Sequence, residues 1–333
     1  MEIREGNSSS IGELRLTNNR KLEDPVTYGF RNFEESLVYM KEDDKQKVYD
    51  QTRILRNVHW GQLKLFCSEM FLLLRHTPST VSDVLYIGAA PGEHIFVLAG
   101  LFPQFRYHLY DSENFDKRLK SLENVKIYKK YFDDSDVKKW KKISNFVLIS
   151  DIRTLTYDPS VQDANSRQRN EDSVWSDMKL QEKWIMELTP VVSLVKFRLP
   201  FAYDFVLREG LTREYLDGVV MKQVFNKPTS SETRLIVTGF EKREWNLVEY
   251  EQKMAYHNDY NRNRGKYYNP LDMSETPVLS DLGLGNDFDS VFLSHLILEY
   301  LKINPGDFHS MMTMILSEMS YKRVSLLSKK AGF

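Results

Sequence analysis

Cysteine is nearly absent from this sequence, since Cys67 is the only one among 333 residues. A single cysteine excludes an intramolecular disulfide and a zinc site built from cysteines. The neighbours of Cys67 include Leu65, Phe66 and Met70, which are apolar. We therefore predict a buried thiol with a packing role.

An excess of charge and a long apolar run are missing as well. The chain has 46 Lys and Arg against 47 Asp and Glu, a formal charge of −1, which excludes a uniformly basic nucleic-acid-binding protein and leaves only a local patch for such binding. No apolar run approaches the roughly 18 residues of a membrane span. The first residues, MEIREGNSSS, lack the hydrophobic stretch of a signal peptide. We expect an intracellular protein without a membrane partner.

What is present from residue 84 onward is an alternation of short apolar runs with helical stretches. The runs predict strands at 84–87, 106–110, 125–128, 146–150 and 191–197, with helices at 92–101, 115–122, 136–142 and 173–188. This alternation is typical of a parallel sheet covered on both faces. Two closely spaced later runs, 219–225 and 234–240, predict a hairpin, which places one antiparallel strand in the sheet.

The remaining segments have distinct compositions. Residues 1 to about 20 predict a loosely held tail, the charged segment 34–59 a surface helix, and the apolar segment 61–76 a buried helix. Residues 154–172 have few large apolar side chains and predict a mobile loop, and two amphipathic helices are expected near 287–303 and 306–327. We divide the chain into an N-terminal extension at 1–55, a core at 56–270 and a helical C-terminal extension at 271–333.

The sharpest local motif is the turn Gly88-Ala-Ala-Pro-Gly92 between a predicted strand and a predicted helix. Small residues allow close approach of the backbone to a ligand, and the helix N-terminus offers free N–H groups. The motif is neither the G-x-G-x-x-G fingerprint nor a P-loop. Asp111 ends the next strand, where Rossmann-type folds place the carboxylate that binds a ribose. The alternative is a tight turn that binds nothing.

Charged residues also mark the ends of predicted strands. Asp151 follows the apolar run 146–150, Lys196 ends the run 191–197, and Glu232 precedes an antiparallel strand, so all three are expected at one edge of the sheet. Lys64 is unusual inside an apolar helix unless its side chain extends to solvent or meets a carboxylate. Taken singly, each residue has an ordinary alternative, such as a turn residue, a solvated lysine or an exposed loop glutamate.

Six motifs together carry a resemblance to a known family. GQLKL, YIGAAPGEH, VLISDIR, SLVKFRLPF, SSETRL and VEYEQKM occur in the order and rough spacing of the poxvirus cap-specific mRNA 2′-O-methyltransferase. In poxviruses that protein is also the small, processivity-promoting subunit of the poly(A) polymerase. The resemblance extends over residues 61–264 and is weaker in the C-terminal helices.

The resemblance implies a Rossmann-like α/β fold, S-adenosylmethionine as cofactor and no metal. The family's catalytic tetrad matches Lys64, Asp151, Lys196 and Glu232. The implied cofactor site contains Gln62, Tyr86, Gly88, Gly92, His94, Asp111 and Phe132. Two departures are visible: Glu113 stands where the family has an arginine, and the interval between His94 and Asp111 is shorter than in the family.

The resemblance also implies a pocket for the 7-methylguanine of an mRNA cap. Phe201 matches one stacking ring and Glu251 one carboxylate, and a shift of one position from Tyr203 makes Asp204 the second carboxylate. For the partner ring we predict Tyr39, with Tyr49 as the rival. The residues expected to contact the first phosphates are Arg153, Arg198 and Arg234, and the patch 262–268 either extends this track or is a solvated loop.

For the mechanism we expect Lys196 to accept or steer the proton of the ribose 2′-hydroxyl, which requires a pKa lowered by burial or by a neighbouring cation such as Lys64. Asp151 is expected to orient Lys196, and Glu232 to hold one of the lysines.

Three functions compete. They are a cap-specific 2′-O-methyltransferase, a mainly non-catalytic subunit of a viral poly(A) polymerase, and a methyltransferase of uncapped RNA. The expected partners are capped mRNA and the catalytic polymerase subunit, in the host cytoplasm or packaged in a virion.

Overall fold

A computed structural model describes residues 30–49, 58–154, 164–201, 211–270 and 285–330. The main sheet has seven strands in the order β3-β2-β1-β4-β5-β8-β7. Its strands are β1 Asp83–Ile87, β2 Arg106–Tyr110, β3 Val125–Tyr128, β4 Phe146–Ser150, β5 Val192–Phe197, β7 Val219–Lys222 and β8 Thr233–Val237. A second sheet pairs β6 Thr212–Leu216 with β9 Lys242–Asn246.

The direction of the strands confirms the predicted fold class. Strands β1 to β5 are parallel to one another, whereas β8 runs antiparallel to both β5 and β7. In this register Lys196 of β5 lies beside Arg234 of β8. Because β8 is reversed, its first residues lie at the edge where the parallel strands end, which is where open α/β sheets bind ligands.

Helices cover both faces of this sheet. They are α1 Gly61–Arg75, α2 Glu93–Leu101, α3 Asp134–Trp140, α4 Ala164–Leu188, α5 Leu247–Tyr256, α6 Phe288–Ile303 and α7 Phe308–Lys330. One buried core joins α1, α2, α6 and α7 to one face of the strands, and the other joins α3, α4, α5 and the small sheet to the opposite face. Successive strand residues such as Val84 and Leu85 belong to opposite cores, as the pleat requires.

Most sequence-predicted elements are confirmed to within a residue or two, including the buried helix α1, the C-terminal helices α6 and α7, and the buried thiol of Cys67. The hairpin is confirmed with shorter strands. The predicted helix at 115–122 is only a 3₁₀ turn, Lys117–Ser121. The division into extensions and core remains a prediction, and the predicted tail at 1–20 lies outside the described residues.

The surface helix expected at 34–59 was wrong for the described part of that segment. Only a 3₁₀ turn, Glu35–Val38, forms there, and Val38 is completely buried. The chain then runs beside β7, where the Met40 amide donates to the Val220 carbonyl. Its charged side chains have partners: Asp44 accepts from buried Lys222 at 2.7 Å, and Lys47 pairs with Asp259. The charge of this segment therefore serves long-range ion pairs.

The mobile loop expected at 154–172 was also wrong in its second half, because α4 begins at Ala164. Residues 155–163 lie outside the described residues. Glu171 and Val174 of this helix are buried. Glu171 forms a buried ion pair, described below, which a composition poor in apolar residues does not predict.

The sequence pattern did not predict the helical conformation of the segment after β9. Helix α5 continues into a π-helical turn, His257–Asn263, a local widening that is frequent at functional sites. Among the described helices, none combines the length and apolarity needed to cross a membrane.

Candidate active site

The four predicted tetrad residues meet at the carboxyl edge of the main sheet. Lys64 comes from the first turn of α1, Asp151 follows β4, Lys196 lies near the end of β5, and Glu232 immediately precedes β8. Lys196 Nζ lies 3.0 Å from Asp151 Oδ1, and Lys64 Nζ lies 2.5 Å from Glu232 Oε1. The sequence thus brings together two lysine–carboxylate pairs from four separate elements.

Asp151 is the central acceptor of this cluster. Its Oδ1 also accepts from Arg234 Nη2 at 2.5 Å, and its backbone carbonyl accepts from Lys196 Nζ at 3.2 Å. Burial would raise the pKa of this carboxyl, but the charges of Arg234, Lys196 and Lys64 outweigh it and lower the pKa to about 2. Asp151 is therefore a carboxylate at neutral pH and orients the Lys196 amine by two contacts.

The pKa of Lys196 is lowered from its ordinary value. Burial is the main cause and the nearby cations Arg234 and Arg153 add to it, whereas Asp151 and Glu232 act in the opposite direction. This shift brings Lys196 closer to the neutral amine that a general base requires. The neighbouring cations that lower this pKa include two arginines that we had not considered for this role.

Glu232 holds the second lysine of the tetrad. Its Oε1 accepts from Lys64, and its Oε2 lies 3.6 Å from Arg153 Nη2. Burial would raise the pKa of this carboxyl, but the charges of Lys196, Lys64 and Arg234 hold it well below the usual value. Of the two lysines we named, Glu232 therefore holds Lys64.

The two predicted phosphate contacts at this centre differ in position. Arg234 is only 2% exposed and is paired with Asp151, so it does not fit the predicted contact with RNA and belongs to the charge balance of the centre. Arg153 lies between Glu232 and Asp177, whose Oδ2 is 3.9 Å from its Nη1. The cationic side chains at this centre are thus each paired with a carboxylate, which keeps the buried charges compensated.

The turn Gly88-Ala-Ala-Pro-Gly92 lies directly against this cluster. Gly88 has φ +81°, and an added Cβ would lie 2.9 Å from the Ile152 amide nitrogen and 3.0 Å from the Asp151 carbonyl carbon. Gly92 has φ +75° and is the residue before α2. Glycine is needed at both positions, because L side chains rarely adopt this backbone conformation. The close approach makes a small-residue cradle beside Asp151.

Asp111 lies just after β2 and faces the same turn. Its Oδ2 accepts from the Ala90 amide at 3.0 Å and its Oδ1 from the Glu113 amide at 2.9 Å. Each carboxylate oxygen can accept a second hydrogen bond, so the hydroxyls of a ribose could still bind. A glycine cradle with a carboxylate at the adjacent strand end fits a nucleoside cofactor. Glu113, in place of the family's arginine, is exposed.

Three further predicted cofactor residues form a buried hydrogen-bond network with Glu69. Gln62 Oε1 accepts from the backbone amide of His94 at 3.2 Å and lies 2.8 Å from its Nδ1. Glu69 Oε1 accepts from the Tyr86 hydroxyl at 2.7 Å and lies 3.1 Å from His94 Nε2. The network ties α1, β1 and the start of α2 together. Sequence reasoning missed Glu69, which falls seven residues after Gln62 on the same face of α1.

Phe132 follows β3 at the same edge of the sheet. Its ring packs edge-on against Tyr110 at 5.0 Å and Trp184 at 5.4 Å between ring centroids, and the residue is buried. Core residues thus cover most of the Phe132 ring, so little of its surface is accessible to a cofactor.

Beyond the tetrad, β5 leads into the predicted cap-binding residues. Arg198 lies over the Phe201 ring, with its Cζ 4.6 Å from the ring centroid. Buried Glu171 of α4 holds both residues: its Oε1 accepts from Arg198 Nη2 and its Oε2 from the Phe201 amide, each at 2.9 Å. Sequence reasoning missed Glu171, because it lay in the predicted loop. Asp204 lies outside the described residues.

Tyr39 does not fit the predicted second ring of the cap pocket. Its ring centroid is 5.7 Å from that of Phe71, and its hydroxyl is 3.3 Å from His76 Nε2. Phe71 and His76 lie about 10 and 18 Å beyond Lys64 along the axis of α1. Tyr39 is therefore at the far end of this helix from the tetrad.

The rival ring, Tyr49, has a more suitable position. Two residues earlier, the Lys47 amide donates to the carbonyl of Gln252, next to the predicted cap carboxylate Glu251. Tyr49 is 39% exposed. In the same helix, α5, the Tyr250 hydroxyl donates to the Ser231 carbonyl at 2.5 Å and so connects Glu251 to the loop that carries Glu232. We therefore replace Tyr39 by Tyr49.

The predicted basic patch at 262–268 is not a surface track at its first residue. Arg262 is 1% exposed and donates to both oxygens of Asp289 in α6, at 2.8 and 2.7 Å. It also donates to the Asn226 carbonyl at 2.9 Å, and Asn258 donates to the Ser230 carbonyl at the same distance. This network fixes the loop 226–232 that presents Glu232. An arginine opposite a distant carboxylate gives no signal in the sequence.

No group of three or more His, Cys, Asp or Glu side chains with the arrangement of a metal site is found in the described ranges. The centre is built from lysine, arginine and carboxylate side chains. Such a set can accept and hold a proton.

Known proteins similar to this chain agree with that chemistry. Two curated relatives are each named cap-specific mRNA (nucleoside-2′-O-)-methyltransferase. The protein of Myxoma virus (strain Lausanne) is 29% identical over 256 residues, 70% of this chain and 72% of the relative. The protein of Fowlpox virus (strain NVSL) is 30% identical over 280 residues, 77% of this chain and 80% of the relative.

Among solved structures, one described as a ribosomal RNA methyltransferase from Plasmodium falciparum aligns with a TM-score of 0.33 at 15% identity. The alignment covers 55% of this chain and 97% of that one. The model of the family described as Poly A polymerase regulatory subunit matches residues 23–290. The resemblance read from the six motifs is thereby confirmed, and the chain belongs to the Poly A polymerase regulatory subunit family.

Proposed function

We propose that this protein is a cap-specific mRNA 2′-O-methyltransferase that uses S-adenosylmethionine. The substrate is the ribose 2′-hydroxyl of the first transcribed nucleotide of 7-methylguanosine-capped RNA. The observation that carries the proposal is the position of Lys196: its amine has a lowered pKa and contacts Asp151, whose backbone lies against the glycine turn. The viral relatives with the corresponding name support the cap as substrate.

Each residue of the centre has a separate role in the proposed reaction. The cofactor supplies an electrophilic methyl group on a sulfonium. Lys196 Nζ accepts the proton of the 2′-hydroxyl as the oxygen attacks, and becomes an ammonium paired with Asp151. Lys64, held by Glu232, stabilises the negative charge that develops on the oxygen. Gly88, Gly92 and Asp111 would hold the cofactor, and fixing it beside the 2′-hydroxyl would lower the entropic part of the barrier.

The cap-binding part of the proposal places 7-methylguanine on the Phe201 ring. The methylated base is cationic, so stacking on an aromatic ring gains a cation–π contribution of about 0.5–2 kcal/mol. Glu251 and Asp204 would accept from the base edge, and Tyr49 would supply the second ring. Arg153 would contact the first phosphates, whereas Arg198 is buried and paired with Glu171, so it does not fit the predicted phosphate contact.

A second role, as partner of the catalytic subunit of a poly(A) polymerase, is supported by the family to which the chain belongs. The complete Lys64–Glu232 and Lys196–Asp151 pairs argue against a purely non-catalytic subunit. We expect both roles in the host cytoplasm, with packaging into the virion. Co-purification with the catalytic subunit, scored by the length of the poly(A) tails made, tests the second role.

Methyl transfer from labelled S-adenosylmethionine to short RNAs tests the first role. The RNAs carry a 7-methylguanosine cap, an unmethylated guanosine cap or a 5′-triphosphate, and nuclease digestion locates the label. We expect 2′-O-methylation of the first nucleotide on the methylated cap, abolished by Lys196→Ala. The exposed Lys142→Ala is the matched control and should keep full activity.

Two results would contradict the proposal. Equal transfer to all three RNAs would favour a methyltransferase of uncapped RNA. No transfer to any RNA, with cap binding retained, would favour the non-catalytic subunit and make Glu113 the first position to exchange for arginine.

A further inference from the structure

Glu171 is a buried carboxylate that bridges two predicted substrate residues. It lies in α4, is 2% exposed, and uses both oxygens: Oε1 accepts from Arg198 Nη2 and Oε2 from the backbone amide of Phe201, each at 2.9 Å. A carboxylate shared between a side chain and a backbone amide three residues apart fixes the turn after β5. Glu171 therefore determines where the Phe201 ring and the Arg198 guanidinium lie.

The guanidinium of Arg198 covers one face of the Phe201 ring. Its Cζ is 4.6 Å from the ring centroid, and the Arg198 side chain is 10% exposed. A base that stacks on Phe201 while Arg198 keeps this position can use only the opposite face. That base would then lie about 3.5–4 Å from the ring. Two cations, the 7-methylguanine and the guanidinium, would thus be separated by a single benzene ring.

In this arrangement the charge of Arg198 would disfavour binding of a cationic base, and Glu171 compensates that charge. Two like charges roughly 8 Å apart in a partly buried site repel each other appreciably. The Glu171 carboxylate in contact with Arg198 cancels that repulsion. An unmethylated guanine is neutral and would gain little from the same cancellation.

We propose that Glu171 is a positioning residue that sets the selectivity of the site for a positively charged base. It holds the Arg198–Phe201 stack in place and neutralises the guanidinium behind the ring. This inference rests on the proposed function, because it takes Phe201 as the platform for the cap.

The test compares the affinities of two short capped RNAs, one with 7-methylguanosine and one with guanosine, by equilibrium fluorescence titration. Glu171→Gln keeps the shape of the side chain and removes its charge. We expect it to weaken binding of the methylated cap roughly tenfold and to change binding of the unmethylated cap much less. The affinity for S-adenosylmethionine should stay unchanged.

Glu182→Gln is the matched control. Glu182 is a second buried glutamate of α4, paired with Lys179 and Lys242 and with no contact to Arg198 or Phe201. It should leave the selectivity between the two caps intact. The double variant Glu171→Gln with Arg198→Gln removes both charges, so it should recover part of the selectivity that Glu171→Gln alone loses.

Each of the other possible results of this comparison would contradict a specific part of the proposal. Equal weakening of both caps by Glu171→Gln would reduce the role of Glu171 to support of the loop, and undiminished selectivity would remove its role entirely. A double variant no more selective than Glu171→Gln would contradict the electrostatic cause. A wild-type protein that does not distinguish the two caps would overturn the proposed cap specificity itself, and the role of Glu171 with it.

Discussion

The cofactor side and the substrate side of this centre are held together by different interactions. On the cofactor side, Gln62, Glu69, Tyr86 and His94 form a hydrogen-bonded network, and Asp111 is held by two backbone amides. On the substrate side, buried arginines and lysines are paired with carboxylates, as in Arg234–Asp151, Arg198–Glu171 and Arg262–Asp289. No lysine or arginine takes part in the hydrogen bonds just named for the cofactor side.

The two sides also differ in how far apart their residues lie in the chain. The cofactor residues fall within two βα units at residues 62–111, whereas the substrate side joins α4, the end of β5, the loop 226–232 and α6. A buried ion pair is costly to assemble but very costly to break from one side. The substrate side therefore depends on pairs that join elements distant in the chain, and loss of one partner leaves a buried charge without compensation.

The largest expected effect separates chemistry from binding. Lys196→Arg keeps a cation beside Asp151 but cannot release a proton at neutral pH, so kcat should fall by about 10²–10⁴. The affinity for S-adenosylmethionine should change little, because this cofactor is held by residues of the cofactor side. Single-turnover methylation and equilibrium dialysis of the cofactor measure the two quantities.

The pH profile of the wild-type protein is the control for that substitution. Since burial lowers the pKa of Lys196, kcat should rise with pH as the amine loses its proton and level off above that pKa. The small residual rate of Lys196→Arg should lack this rise. A rise that persists in the variant would assign the proton transfer to another group.

Asp289→Asn should have the next largest effect, on stability. It leaves Arg262 buried without its carboxylate, so the free energy of unfolding should fall by about 3–5 kcal/mol. Denaturant unfolding measures the change. Glu318→Gln, which removes one of the two carboxylate partners of Arg118 in a pair about one-third exposed, should cost about 0–1 kcal/mol. Similar losses in both variants would contradict the proposed importance of buried charge on the substrate side.

Gly88→Ala should weaken cofactor binding more than RNA binding. The added methyl has no room against Asp151 and Ile152, and the positive φ adds strain of about 1–3 kcal/mol. We expect S-adenosylmethionine affinity to fall roughly tenfold or more, whereas capped RNA should still bind. Gly100→Ala is the control, since an added Cβ there meets nothing within 4 Å.

The smallest effect is a difference in salt dependence. Binding of capped RNA should weaken by roughly tenfold to twentyfold between 50 and 200 mM salt if three phosphates are contacted. Binding of S-adenosylmethionine should change far less. Equal salt dependence of the two ligands would mean that the positive charge around Arg153 and Lys64 does not serve RNA.

The residues of the cofactor side could be predicted from the sequence much better than those of the substrate side. The turn at Gly88 and the carboxylate at Asp111 follow from local patterns, and the alternation of strands and helices orders the main sheet. The strand ends then place Asp151, Lys196 and Glu232 together. Lys64 was assigned to the tetrad by the family resemblance, because a lysine in an apolar helix either reaches solvent or meets a carboxylate.

The residues that were missed are defined by partners far away in the chain. Glu171 fell in a segment that lacks apolar residues, and its partner Arg198 is 27 positions later. Arg262 looked like part of a surface patch because Asp289 gives no local sign of pairing with it. Tyr39 was misplaced for a related reason: the extended path of residues 39–47 follows from pairing with β7 and α5, not from its own composition.

The Arg262–Asp289 pair has a consequence for the order in which the working protein is made. The residues of the tetrad and of the cofactor site are synthesised before Asp289, which follows Arg262 by 27 residues. Domains generally fold as units. Until α6 has been made, the loop 226–232 lacks the partner of its arginine anchor and one face of the sheet lacks a helix that covers it. Catalytic competence should arrive only when α6 has emerged and packed.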